Sequence, residues 1–499
     1  MKKIKISHVL TSTALVLVTM SCGDLDRFPF GEIEQSQSFQ SVRDARTHNN
    51  GLYAYLRGRV SGLYQYSTDI QADQLNASLD FGNRNGNPHR WEGFLSDDYT
   101  IRDTWSGYYS AIANLNNQIE GFEQITPGND NEVAELNRYK GDAYLARAFY
   151  YLNLTLRFAK AYNPSTASSD LGVPLVLTYD ISLQPARSTV AECYAQILQD
   201  IETAKGLLAN VEGEQGATRF TSDAVLALEA RVKLYMQDFS GARTAAQTVI
   251  NSGTYPLLTT QEGLTDMWHR DLATEVIFQP HLAAPNELGN TTGSVYLGYN
   301  AGQDKFIPDF IPSQWVIDAY DDEDHRKSVY FENLDVLIQG TNYTDLYLVN
   351  KYPGNPELFT GAVTNYQHHP KVFRVAELYL IVAEAAVESD PAASLAALNT
   401  LRQARGLDAL GNLSGQALMD AVKTERFKEL AFEGFRLDDL KRWGEGFTRR
   451  DPQDLDPIQT GPNYQVLSKQ AGDNKFVWGI PLRDQTVNPN ISNQQNPGW

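Results

Sequence analysis

The stretch from Ala227 to Val249 restricts the possible folds most. Ala227, Ala230, Leu234 and Tyr235 share one face at helical spacing, Asp238-Phe239 interrupts, and Ala242, Ala246 and Val249 resume the period. Small residues stand where two helices must approach closely, and large ones fill the gaps. This is the helix-turn-helix logic of a tetratricopeptide-like repeat, whose units bury their apolar faces only by stacking. The sequence supplies neighbours. Trp105, Tyr108, Ile112, Leu115 and Ile119 form one helical stripe, and Leu136, Tyr139, Ala143, Ala146, Tyr150 and Leu154 form its partner. A second pair runs over 190–208 and 222–252, a third over 372–388 and 392–405, and a further helix over 415–443. Val42, Ala45, Asn49, Leu52 and Leu56 mark an earlier helix. The period of roughly 34 residues is not strictly kept. The expected fold is mainly α: a tetratricopeptide-like scaffold of about four helix pairs, with a generic helical bundle as the alternative.

Between the pairs lies a different kind of chain. Residues 253–369 are rich in Gly, Pro, Asn and aromatics, with strand-like runs at 275–278, 294–297 and 346–349, and residues 444–499 are similarly irregular. A stretch this long is expected to pack as a loop-rich lobe on the helical frame. The polar run from Asp80 to Gly93 reads as loop.

The N-terminus reads as a targeting segment. Lys2, Lys3 and Lys5 precede an apolar run from Val9 to Met20, too short for a permanent span. The run ends at Cys22, so residues 1–21 are expected to be a signal peptide and Cys22 a lipidation site. Thr19 departs from the usual aliphatic residue, and an ordinary signal peptide with an incidental cysteine is the alternative. Residues 22–40 then form a lipidated tether and 41–499 a single domain. Cys193, the other cysteine, leaves no intramolecular disulfide and reads as a small core residue. A formal net charge of -19 argues against nucleic acid or anionic lipid as a partner.

Catalytic and cofactor motifs are missing from the sequence. It contains no Gly-Lys-Ser/Thr phosphate loop, no His-Glu-x-x-His and no Gly-x-Ser-x-Gly. His368-His369 alternate on an extended chain and do not naturally share a metal. The run Asp321 to Asp324 lacks calcium-loop spacing and is expected to pair with Arg326 or Lys327. The expectation is a binding protein with no cofactor and no metal.

Several segments, in order, carry a family resemblance. Cys22-Gly-Asp-Leu-Asp26 with Pro29, Trp105-x-x-Tyr108, Ala146-Arg-Ala-Phe-Tyr-Tyr151, Arg374-Val-Ala-Glu377 through Glu384, Glu425-Arg426 through Trp443, and the closing Gly479-Ile-Pro481 and Asn496-Pro-Gly498 resemble the SusD/RagB lipoproteins. The resemblance implies four tetratricopeptide-like units with an irregular lobe. It also implies lipid anchoring in the outer membrane, facing outwards, and a SusC-like TonB-dependent transporter as partner. The implied ligand is an oligosaccharide, or a peptide as in the RagB branch. The charged residues of the signature helices, Arg374, Glu377, Glu384, Glu425, Arg426, Glu429, Glu433 and Arg436, read separately as scaffold ion pairs.

Sugar recognition needs flat rings beside amides and carboxylates. Trp91 with Asn85 and Arg90, Tyr64 and Tyr66 with Asp69 and Asp73, and Tyr296 and Tyr299 in the second lobe are the candidates, with Trp268 behind them. Trp105, Tyr108 and Trp315 read as core. A peptide-binding module, a surface hydrolase and a purely structural assembly protein are the competing functions.

Overall fold

The computed structural model describes residues 38–283 and 286–499; the expected signal peptide and the expected lipidation site Cys22 lie outside these. The chain enters at α1 (Val42–Arg57), whose N-cap Ser41 accepts from the Asp44 N–H. It continues through α2 (Leu63–Gln71), β1 (Leu75–Ala77) and α3 (Gly86–Arg90). The long hairpin α4 (Tyr99–Phe122) and α5 (Asp130–Phe158) follows, then α6 (Val190–Leu207), α7 (Ser222–Tyr235) and α8 (Phe239–Ser252). Side-chain caps at Asp98, Asn129, Thr189, Thr221 and Asp238 start these five helices, and Thr189 with Glu192 forms a full capping box. Gly141 in α5 shows why small residues are needed: a Cβ there would lie 2.7 Å from Leu208. Trp105, Tyr108 and Cys193 are buried in the core between these helices.

The lobe then interrupts the stack. It holds α9 (Gln261–His269), β2 (Val276–Phe278), α10 (Thr292–Tyr296), β3 (Tyr299–Asn300), β4 (Lys305–Phe306), β5 (Phe310–Pro312), α11 (Gln314–Asp318), α12 (Lys327–Tyr330), β6 (Phe331–Ile338) and β7 (Thr341–Val349). β3, β4, β6 and β7 make one sheet in that order. Gln339-Gly340, both at positive φ, turn β6 into β7, as a two-residue hairpin requires. β1 pairs with β5, and β2 pairs with β8 (Phe373–Arg374), so the lobe is sewn to chain on either side of it. The frame resumes with α13 (Val375–Ala386), which packs directly on α8, then α14 (Pro391–Ala404), α15 (Gly415–Leu430) and α16 (Arg436–Trp443). β9 (Phe447–Thr448), β10 (Ser468–Lys469) and α17 (Leu482–Val487) complete the chain. The architecture is the expected one: stacked helix pairs with an irregular, short-stranded lobe. No helix among the described residues is long and apolar enough to cross a membrane.

Three local expectations need correction. The helix read over 415–443 is two helices, because Phe432 and Gly434 adopt left-handed backbone at φ 65° and 84°. The run at 294–297 is helical, not strand: Thr292, Gly293, Val295 and Tyr296 are buried together as one wedged turn. The polar run 80–93 holds α3 and closes inward. Buried Arg449 explains this, donating to the Ala72 and His89 carbonyls at 3.1 and 2.8 Å.

The signature-helix charges are scaffold, as their spacing suggested. Glu429 accepts from Arg326, Arg374 and Arg405, and Glu275 holds Arg405 at 2.8 and 2.9 Å. The acidic run pairs locally, Asp324 with Arg326 at 2.8 Å and Asp322 with Lys327 at 2.6 Å.

Candidate ligand groove

α2 sits against the mouth of the lobe and turns Tyr66 towards it. After β1 the chain passes through Asn83 and Asn85, both left-handed, a conformation asparagine tolerates better than most residues. That path presents Arg84 outward. The Asn85 N–H donates to the Tyr99 hydroxyl at 2.6 Å, and that hydroxyl donates back to Asn85 Oδ1 at 2.9 Å. Tyr99 is the first residue of α4, fixed by the Asp98 cap, and its ring is 38 % exposed. From the lobe, Asn290, Ser294 and Asp309 face these groups across a hollow of about 450 Å³.

A second hollow of about 550 Å³ adjoins the first, sharing Arg84 and Ser294 with it. Tyr299, Asn300 and Tyr366 line it. The Tyr299 hydroxyl donates to Asp304 at 2.7 Å, and its ring lies 5.1 Å from Phe306. Together the hollows form one open groove between the frame and the lobe. Arg84 spans both, its side chain 65 % exposed while its partner Asp309, 2.5 Å away, is 1 % exposed. Burial pushes the Asp309 carboxyl up to about 6, although Arg84 pulls it down. Burial likewise raises the Tyr66 hydroxyl to about 12, so it remains a donor at neutral pH. The groove thus offers rings, amides and one guanidinium. These can cover apolar faces of a ligand and bond its hydroxyls.

The candidate residues divide. Tyr66, Asn85 and Tyr299 border the groove. Trp91 does not, which corrects the reading of it as a stacking platform. It is 4 % exposed, packs on Phe447 and Phe476, and its Nε1 donates to the Gln71 carbonyl at 2.7 Å. Tyr296 is fully buried against Phe432, and Trp268 is buried beneath Lys351. Asp73 is committed to Arg436 by two bonds of 2.9 and 2.8 Å. Asp69 accepts the Gly434 N–H at 2.8 Å, and its burial raises the carboxyl to about 7. Arg90 is spent bracing the loop through Asn83 and Asn87, at 2.6 and 2.8 Å. Tyr64 packs on Tyr108 and faces a separate cavity instead. Trp315 is half-buried, stacked on Phe427 with Arg450 on its other side. His368 and His369 each bond a backbone carbonyl. Arg84, Tyr99 and Asp309 were missed. Tyr99 was legible in principle, since a ring just after an Asp cap stands on the open end of a helix.

A family model described as "Starch-binding associating with outer membrane" matches residues 35–234, and one described as "SusD family" matches residues 335–499. The chain belongs to the SusD/RagB family. The SusD-like protein P38 of Formosa agariphila is 25% identical over 98% of this chain and 99% of its own. A crystal structure of a SusD superfamily protein from Bacteroides thetaiotaomicron superposes with a TM-score of 0.77 at 26% identity, covering 92% of this chain and 100% of that one. A structure titled as a putative sugar binding protein from Bacteroides vulgatus gives 0.75 at 25%, over 93% and 99%. SusD-family proteins are associated with the outer membrane.

Proposed function

We propose that this SusD/RagB protein is a non-catalytic surface lipoprotein that captures an oligosaccharide in the groove and passes it to a SusC-like TonB-dependent transporter. The observation that carries this reading is the groove itself, with exposed Tyr99 and half-buried Tyr299 lining it alongside Arg84, Asn85 and Asn300. Its two hollows, about 450 and 550 Å³, each exceed the size of a single sugar ring, which suits a chain of sugars. The chain's similarity to the putative sugar binding protein from Bacteroides vulgatus agrees with it. Lipidation at Cys22 would tether the protein to the outer membrane, facing the cell exterior.

A screen of arrayed polysaccharides and peptides against the purified protein tests this. A glycan should bind, and Tyr99→Ala should weaken it about tenfold, the value of one stacked ring. Arg84→Ala should weaken it further. Retained glycan affinity in both variants would move the site elsewhere, and peptide binding alone would replace the glycan reading. Co-purification with a large β-barrel protein tests the transporter; its absence from solubilised outer membranes would remove that part.

A further inference from the structure

A third hollow, narrower and partly open at its rim, lies where the helical frame meets the lobe. Its volume is about 90 Å³, space for roughly half a dozen waters or one small ion. α2 is the wall between it and the groove: Tyr64 and Gln65 line the cavity, Leu63 and Tyr66 the groove. Half-buried Arg59, Val60 and Asn153 stand at its rim.

The lining carries four cations, Arg59, Arg157, Arg231 and Lys371, against two carboxylates, Asp438 and Glu433, within a chain of net charge -19. Arg231 is held by Glu377 through bonds of 2.7 and 2.6 Å, Lys371 by Asp271 at 2.5 Å, and Arg157 by Asp438. Arg59 differs. Its guanidinium donates to the carbonyls of Gly107 and Tyr55, at 2.7 and 3.2 Å, and no carboxylate pairs with it among the described residues. Two buried tyrosines, Tyr108 and Tyr150, lie near it. Tyr108 lines the cavity, and no protein group among the described residues bonds its hydroxyl. Tyr150, which packs on Tyr108 and lines a neighbouring hollow, has a buried hydroxyl with no partner among the described residues. Tyr108 packs on Tyr64 and Tyr150 with ring centroids 5.0 and 5.7 Å apart, and Arg59, Tyr64, Tyr108 and Arg157 line the one cavity, so these groups cluster. Burial drives both phenols well above their ordinary range, which keeps them protonated donors. A guanidinium with no paired carboxylate and a phenol hydroxyl with no acceptor line the same cavity, and one anionic oxygen would satisfy both.

We propose that this corner, bounded by Arg59, Tyr108 and Arg157, is a binding site for a small oxyanion, a carboxylate or a phosphate. It is separate from the glycan groove and does not depend on what the groove binds. The Asp438 and Glu433 carboxylates also line the cavity; the pairing of Asp438 with Arg157 and Lys441, and of Glu433 with Lys351 and Arg374, offsets their repulsion.

Calorimetric titration of the purified protein with sodium phosphate and with sodium acetate, at pH 7 and constant ionic strength, tests the site. Saturable one-to-one binding of either anion is expected, and which one saturates identifies the source. Tyr108→Phe, which removes only the hydroxyl, should weaken it about fivefold, the worth of one hydrogen bond. Arg59→Gln should weaken it at least about tenfold, as loss of a charged donor does. Tyr99→Ala should leave it unchanged. No saturation with either anion would overturn the proposal. So would an affinity indifferent to both cavity variants, or a loss in Tyr99→Ala as large as in Arg59→Gln.

Discussion

Glu429→Gln keeps the shape of the side chain and removes one negative charge from the centre of the protein. The carboxylate is fully buried. Its Oε1 accepts from Arg374 at 2.8 Å and Arg405 at 2.9 Å, and its Oε2 from Arg326 at 3.0 Å and Arg405 at 2.9 Å. Glu275, Glu433, Asp324 and Glu425 also bind these arginines but are shared with Lys351, Lys428 and Arg402, so the variant leaves six cations facing four carboxylates. Breaking a buried pair in this way costs about 3–5 kcal/mol. Unfolding entropy of about 2.1 cal/mol/K per residue, over roughly 460 described residues, gives about 1 kcal/mol/K. Tm should therefore fall by about 3–5 °C, read by calorimetry at pH 7.5. The pH dependence adds a second test. Burial opposes ionisation of Glu429, but Arg405, Arg374 and Arg326 outweigh it and hold the group well below the usual carboxylate range. Its contribution is complete above the unfolded pKa of about 4.3 and lost as pH falls towards the folded one. The gap between wild type and variant should be flat from pH 8 to about 5 and shrink below about 4. A Tm change under about 1 °C, or a gap that widens in acid, would refute the reasoning.

Trp91→Ala should cost about 3–5 kcal/mol by opening a cavity against Phe447 and Phe476, while glycan affinity of the folded protein stays the same. Melting and titration of one preparation read both. Gly434→Ala forces a side chain into φ 84° and to 2.7 Å from the Gln65 carbonyl oxygen; a loss of about 1–3 kcal/mol in denaturant is expected. Asp142→Asn tests a buried acid whose carboxyl burial raises to about 7, with Asn49 donating to it at 3.0 Å. A raised folded pKa means wild-type stability falls as pH climbs from about 4 to 7, so the Tm of the variant relative to wild type should rise over that interval. A difference that stays level from pH 4 to 8 would contradict it.

The helical frame was legible because burial writes its period into the chain: Trp105 to Ile119 and Leu136 to Leu154 are stripes any reader can count. The break after Leu430 was not, since its cause is distant. Gly434 meets Gln65 and Asp69, more than 300 residues away in sequence. The groove was half legible. Asn85 and Tyr299 combine an amide or a ring with loop-rich chain, a local property, and Tyr66 stands on the short helix that leads into it. Trp91 has the same local property and fails, because residue type does not say which way a loop folds. Gln71 captures its indole N–H and Arg449 draws the loop inward. Arg84 gains its place only through Asp309, 225 positions on.

The direct packing of α13 on α8 makes the inserted lobe a cartridge in a socket. The frame closes behind it, so the stack of helices is indifferent to how much chain is housed between Ser252 and Val375. Doubling the length of such an insert costs only about 0.6 kcal/mol of closure entropy. What a substitute must keep is the plug: Glu275, Arg326 and Arg374 meeting Arg405 and Glu429 of the frame. Half of the groove wall, including Asn290, Asp309 and Tyr299, rides on the cartridge. Grafting a lobe with those three plug residues retained would exchange the recognised ligand and leave the helices standing.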